Sequence, residues 1–402
     1  MYVIGIDVSR GHSDCALVRK DEVLREFKIK HDKNGFSQLL SIINDCKFAV
    51  TIVFETTGVY SSQLGCFCRQ FKLDYVEMNP LDSSINMDSM RRNKTDRSDA
   101  VNLAFLQINQ PGKVSRRHFI GGDYADLHVL SHQYFQLSVE RGRVMNHLHA
   151  ALEQSFPELN DIFIPIKSVL GLTTIKKYPH PNFLLGKSLD QMVTEIRSAV
   201  SLRLHTDTIR LHCQQVITAG QISYPAISAD SMIIQVIRQY CDQIFDYNQR
   251  IDDVSKALIK LAQTLPEFRL ISSIPGTGQK STALLLGCVG NISRFTTYKQ
   301  FNAFVGIDIR RYQSGASQKL DIINRRGRQD ARKVLFEMIR SMLRNQSHLD
   351  NHIVDYYYLL KKGPHPKPDK IAVIACINRL NRTIINLVRT NQVYDFNKTS
   401  HK

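Results

Sequence analysis

The sequence runs to 402 residues, with 53 Lys and Arg against 37 Asp and Glu and a formal charge of +16. At 43% hydrophobic and 22% charged, it is long enough for roughly two or three folded domains, which excludes wholesale disorder. No apolar run approaches the roughly 18 residues of a membrane span, and the opening MYVIGIDVSRGHSD reaches an aspartate by position 7, so no secretory signal is expected. The eight cysteines are scattered without CxxC or His-rich zinc spacing, the pattern of a reduced, cytoplasmic chain. A basic surplus of this size points to a polyanionic partner.

The elements, in chain order, predict an α/β unit followed by helices. MYVIGIDV, CALVR and VLREFKI read as three strands at hairpin spacing. GFSQLLSIINDC is helical, FAVTIVFE is a β-branched strand ending in Glu55, SQLGCFCRQF a helix and DYVEM a strand. TDRSDAVNLAFLQ is a helix opened by a Thr or Asp cap. Three strands, helix, strand, helix, strand, helix is the element order of a ribonuclease H-like fold. Residues 123 to about 157 predict a long helix. Residues 160–230 show no clear period. Ile233, Ile237, Tyr240, Ile244, Tyr247, Ile251, Val254, Leu258, Leu261 and Leu265 then repeat at 4-3-4-3, a heptad seam. That seam suits a helix packed inside one subunit, an antiparallel partner in the 123–157 helix, or a second subunit.

After Pro266, LISSIPGTGQKSTALLLGCVG reads as helix, hairpin, helix. Gly276 and Gly278 sit in the turn and Lys280 at the start of the second helix. Backbone N–H groups there suit a phosphate, and the bland alternative is a tight turn between packed helices. Residues 266–340 carry 13 Lys and Arg against 5 Asp and Glu, half of the whole surplus. Arg310, Arg311, Lys319, Arg325, Arg326, Arg328 and Arg332 stand in its densest part, as candidate phosphate contacts or a solvated face. A further helix is expected near 369–391, with a polar tail.

Four carboxylates are candidates for chemistry. Asp7 and Glu55 end strands, and Asp96 and Asp99 share a helix face at i, i+3. Brought together they would repel unless a divalent cation compensates, and Mg²⁺ suits a few carboxylate oxygens plus waters and phosphate, with Mn²⁺ as an alternative. Two such ions can clamp an in-line phosphoryl displacement. Each acid taken singly also fits a cap or a solvated strand end.

GIDVS, FETTGVY and NKTDRSDA, in this order and spacing, resemble the DEDD transposases of bacterial insertion sequences, the family named after insertion sequence 110. IPGTGQKSTALLL and YQSGASQKLDIINRRGRQDARKVLF resemble that family's second region, including its Ser-Gly step. Ile309 stands where proline is expected, and Arg328 where asparagine is usual. The resemblance implies a resolvase-like catalytic domain over 1–122 and a coiled-coil helical region over 123–265 with an insertion at about 160–230. It implies a transposase domain over 266–345 and a C-terminal helix and tail over 346–402. It implies Asp7, Glu55, Asp96 and Asp99 as metal ligands and Ser314 as a nucleophile that attaches covalently to DNA, with Ser317 a close rival. The partners implied are DNA, a structured non-coding guide RNA and further copies of the chain as dimer or tetramer, with no membrane. The setting implied is a bacterial cytoplasm, at the nucleoid when acting. The leading expectation is therefore a recombinase that excises and inserts a mobile element. A junction-cleaving nuclease with water as nucleophile ranks second. An actin-like kinase ranks third, poorly matched by Ser9, Arg10 and Gly11, and a non-catalytic nucleic-acid binder ranks last.

Overall fold

In the computed structural model the chain divides into two units, residues 1–119 and 120–402. The described residues are 2–20, 22–56, 58–78, 96–109, 122–164, 166–200, 205–310, 313–314, 317–318, 322–324, 326–347 and 350–398.

The N-terminal unit is a five-stranded sheet with helices on both faces. β1 (Tyr2–Ser9), β2 (His12–Arg19) and β3 (Glu22–Lys30) form an antiparallel meander, and β4 (Val50–Glu55) and β5 (Asp74–Met78) add in parallel, giving the order β3-β2-β1-β4-β5. β1 is apolar on both faces because both are covered. Ile4, Ile6, Ile52 and Phe54 face α1 (Lys33–Asn44) and α2 (Ser62–Gln70), packing with Leu39, Ile42, Leu64 and Phe67. The opposite face, with Val3, Val53, Val76 and Met78, is covered by α3 (Asp96–Asn109) through Ala100, Leu103 and Ala104. Asp32 caps α1 by accepting from the Gly35 amide at 2.8 Å.

The C-terminal unit is mostly helical and is organised by two long helices. α4 (Asp123–Ser155) and the helix Met232–Ala262 lie antiparallel: Thr264 donates to Asp123 at 2.8 Å, and Arg141 Nη1 donates to Asn248 at 2.9 Å. The 4-3-4-3 seam is filled from within the same chain. Leu258 packs with Leu127 at one end, and Ile237 and Ile244 with Leu148 and Leu152 at the other. Residues 160–230, unreadable by period, are short helices with their own core: α5 (Leu159–Ile162), α6 (Val169–Lys177), α7 (Leu189–Ala199) and α8 (Thr206–Ile222). Leu172, Met192, Ile196 and Val216 of this segment are fully buried. α7 buries Met192, Val193 and Ile196, and α8 buries Ile209, Cys213, Val216 and Ala219, each on one side of its helix.

Beyond α9 (Met232–Ala262), α10 (Pro266–Ser272), α11 (Gln279–Val289), α12 (Tyr298–Val305), α13 (Gln329–Arg344), α14 (His352–Lys362) and α15 (Asp369–Thr390) share one core. The expectation that no apolar run nears a membrane span meets one exception. By length and composition α15 qualifies, yet half of its apolar stretch is buried inside this core. Between α12 and α13, β6 (Ile309–Arg310) pairs with β9 (Ile322–Ile323) and β7 (Gln313–Ser314) with β8 (Ser317–Gln318), both antiparallel.

Candidate active site

Asp7 and Glu55 stand on adjacent strands, on the side of the N-terminal sheet that α3 covers. Ile6 pairs with Phe54 across the parallel β1-β4 ladder, and both turn to the α1 side. Asp7 and Glu55 each follow by one residue, so strand alternation aims both at the face that α3 covers. Glu55 is paired in register with Met78, which packs under α3. The helix carries Asp99, half-buried, three residues after Asp96 at its first position. The Asp96 side chain lies outside the described residues.

Gly5 sets how close the helix comes. A Cβ added there would meet the Ala104 amide nitrogen at 2.8 Å and the Ala100 carbonyl carbon at 3.1 Å, with the Ala100 oxygen closer still. Those atoms are backbone and cannot rotate away. A glycine inside a central strand is thus explained by close approach of a second backbone, and the helix bearing Asp96 and Asp99 is held against β1 two residues before Asp7.

One carboxylate escaped the sequence reading. Asp14 of β2 stands directly opposite Asp7 in the antiparallel register, and Lys28 of β3 stands opposite Asp14. Lys28, Asp14 and Asp7 therefore form one row across three strands on the α3 side. Asp14 is 3% exposed and is held by Lys28, whose Nζ lies 3.1 Å from Oδ1. Such burial of a charge requires a partner. On the opposite face, burial pushes the Cys15 thiol well above its usual range, and the charges of Asp14 and Asp7 push it further. The signal was the Ser9–His12 hairpin: counting back from the turn with Gly11, at φ +78°, brings Asp7 to Asp14.

No group of three or more His, Cys, Asp or Glu side chains among the described residues forms a ready metal nest. Asp7, Asp14, Glu55 and Asp99 supply hard oxygen donors of the kind Mg²⁺ takes, and Asp7 already has a partner in the fold.

The second set of candidates lies in the C-terminal unit. Gly276 has φ +83°, and a Cβ there would meet Met342 Cα at 2.7 Å, so it closes a packed turn between helices. Thr277 fixes that turn by donating to the Ile271 and Ile274 carbonyls at 2.9 and 2.6 Å. Gly278, exposed, is the N-cap of α11, and Lys280 lies 5.6 Å over the Tyr134 ring. Ser314 stands opposite Ser317 in the β7-β8 pairing, so the two candidate serines share one rung. The side chains of Arg310, Ser314 and Ser317 lie outside the described residues, as do Arg311, Lys319 and Arg325 entirely. Arg326 is exposed.

Two of the basic candidates make internal bonds. Arg332 Nη1 donates to the Val305 and Gly327 carbonyls at 2.7 and 3.1 Å. Arg328 donates to both Asp330 oxygens, at 3.2 and 2.8 Å. Burial opposes the charge on Asp330, but Arg328 and the Ala331 amide outweigh it and hold the carboxyl below its usual range. Arg294, between the Phe295 and Phe304 rings at 4.6 Å each, has its pKa lowered by burial and by Arg328.

Comparison with known proteins matches two regions. Residues 4–157 fit the model of DEDD transposases of the IS110 type, described as a transposase, and residues 268–353 fit the transposase IS116/IS110/IS902 family. The chain belongs to the IS110 transposase family. A stretch of 120 residues is 26% identical to the transposase for insertion sequence element IS1111A of Coxiella burnetii (strain RSA 493 / Nine Mile phase I). That stretch covers 30% of this chain and 33% of the relative. Asp7, Asp14, Glu55, Asp96 and Asp99 fall inside the first matched region of this IS110-family chain, and Gly276, Gly278, Lys280 and Ser314 inside the second.

Proposed function

We propose that this protein is a DNA recombinase that excises and inserts a mobile element through metal-dependent cleavage and serine-mediated strand exchange. The observation that carries the reading is the convergence of Asp7 and Glu55, at the ends of adjacent parallel strands, on the face to which Gly5 clamps the Asp96–Asp99 helix. The strand order β3-β2-β1-β4-β5 supports a ribonuclease H-like reading of this unit.

Asp7, Glu55, Asp96 and Asp99 would hold Mg²⁺ or Mn²⁺, which supplies neutralisation of charge on the scissile phosphate. Asp14 adds negative charge beside Asp7, and Lys28 partly offsets it. The Ser314 hydroxyl attacks phosphorus, the Ser–O–P bond forms, and a strand hydroxyl leaves carrying a proton. Attack by a second strand's hydroxyl reverses the step, so the phosphodiester energy is kept and no ATP is used. Arg310, Arg311 and Lys319 flank Ser314 in sequence and suit the phosphate charge. The resemblance further implies a structured RNA as guide and assembly into dimers or tetramers, and a charge of +16 is compatible with the former.

The test is a denaturing gel of protein with labelled substrate DNA. Expected is a protease-sensitive shifted band, lost in Ser314→Ala and kept in Ser317→Ala. A band surviving Ser314→Ala moves the nucleophile to Ser317. Cleavage with no band in any variant replaces the reading with a water-attack nuclease.

A further inference from the structure

The C-terminal core leaves one face of α15 facing a wide groove. The groove holds about 840 Å³ and is lined from α12, α14, α15 and the segment after α15. Its cations are Lys299, Arg379, Arg382, Arg389 and Lys398, against the single carboxylate of Asp395. Arg379, Arg382 and Arg389 follow each other at three and seven residues, which places them along one side of the helix. The opposite side, with Val373, Ile377, Leu380 and Ile384, is fully buried in the core. The helix that passed for a membrane span by composition is therefore a core helix with a basic outer face.

Two of these cations lie over aromatic rings. The Arg379 guanidinium lies 4.7 Å over the Tyr356 ring and Arg382 lies 5.0 Å over Tyr298. A cation over an aromatic face is attracted by the ring quadrupole, so the two tyrosines help to place positive charge at the groove. Arg382, Arg389 and Lys299 are exposed. Lys398 lies 3.9 Å from the Asp395 carboxylate, and Lys299, Arg379, Arg382 and Arg389 make the charge of the lining strongly positive. The groove also presents the side-chain amides of Asn378 and Asn386, short donors of the kind that contact phosphate and sugar without reading bases, while the Thr383 and Thr390 hydroxyls donate to the Arg379 and Asn386 carbonyls.

We infer that this groove is an anchoring site for the phosphodiester backbone of duplex DNA, bound by charge and shape, away from Asp7 and from Ser314 in sequence. The inference rests on the DNA-recombinase reading for its choice of DNA, and its geometry stands on the exposed Lys299, Arg382 and Arg389 along one groove. Its function is to hold a DNA arm whatever its sequence.

The experiment uses the full chain and short duplex DNA of unrelated sequence, with affinity measured over a range of salt concentration. The variant combines Lys299→Gln, Arg382→Gln and Arg389→Gln, all exposed, so folding is checked by an unchanged melting temperature. Each phosphate contact contributes about 0.9 to the slope of log affinity against log salt, so the slope should fall by about 2 to 3. A control combines Lys20→Gln, Lys47→Gln and Lys72→Gln, which removes the same charge from exposed sites elsewhere, and should move the slope by less than one contact. An unchanged slope in the groove variant overturns the inference. So does an equal loss in the control, which would reduce the effect to net charge. A loss confined to duplex RNA of the same sequence overturns the assignment to DNA. Asp7→Asn, measured alongside, should keep full affinity and lose cleavage. If it cleaves normally the recombinase reading fails, whatever the groove variant does.

Discussion

Replacing Gly5 by alanine separates the positioning of the α3 acids from the general stability of the sheet. The new Cβ would stand 2.8 Å from the Ala104 amide nitrogen and nearer still to the Ala100 oxygen. Comfortable contact begins near about 3.5 Å, so the helix must retreat by roughly 0.7 Å at Ala104 and by more at Ala100. Overpacking of this kind costs about 1–3 kcal/mol. A shift on the order of 1 Å in a catalytic group costs about 10²-fold in rate, and Asp99 adjoins Ala100. Expected for Gly5→Ala is a melting temperature lowered by several degrees and metal-dependent DNA cleavage lowered about a hundredfold, at protein concentrations and temperatures where the variant is folded. Val3→Ala is the control. Val3 is fully buried under the same helix, so its truncation costs stability by about 1–3 kcal/mol without pushing α3 away. Cleavage at the wild-type rate by folded Gly5→Ala, or an equal loss in Val3→Ala, would refute the reasoning.

Other outcomes follow from single contacts. Lys28→Met removes the positive charge beside Asp14 and should tighten Mn²⁺ binding by the DNA-free protein, whereas Asp14→Asn should weaken it. Calorimetric titration checks the opposite signs, and weakening in both would reduce the pair to a structural role. Asp330→Asn should destabilise the C-terminal unit by about 1–3 kcal/mol at neutral pH. Because the folded Asp330 carboxyl titrates below its usual value, this stabilisation is present in full above about pH 4 and is lost as pH falls further. Denaturant titrations of both proteins at pH 7 and at pH 3 should therefore show a smaller difference at the lower pH. Thr277→Val removes two side-chain bonds that close the turn before Gly278 and should cost about 1–2 kcal/mol, read by thermal unfolding.

The N-terminal fold was legible because its signals are local. β-branched runs such as FAVTIVFE and the amphipathic GFSQLLSIINDC name their own elements, and β4 and α1 follow them. Asp7, Glu55 and Asp99 were legible as element ends and as an i, i+3 pair. Asp14 was not, because its place opposite Asp7 comes from register across a hairpin, and the apolar run CALVR begins one residue after it. The heptad seam of α9 was plain in the sequence, but which helix covers it is a tertiary fact that the same spacing leaves open; α4 does so here. Residues 160–230 were less legible because the segment breaks into helices of 4 to 17 residues, although α8 carries an apolar stripe in Ile209, Cys213, Val216 and Ala219. Arg328 and Arg332 counted as part of a basic cluster in sequence, and only the structure shows them bonded to Asp330 and to backbone carbonyls.

The central claim is that the carboxylate face performs the cutting while other surfaces hold the DNA. Its most direct measurement is strand cleavage by Asp7→Asn in Mg²⁺ or Mn²⁺, with DNA affinity determined on the same preparation. The account predicts cleavage reduced below detection with affinity within about twofold of wild type, since one buried-edge charge is lost and the basic surfaces are untouched. Cleavage at the normal rate would contradict it.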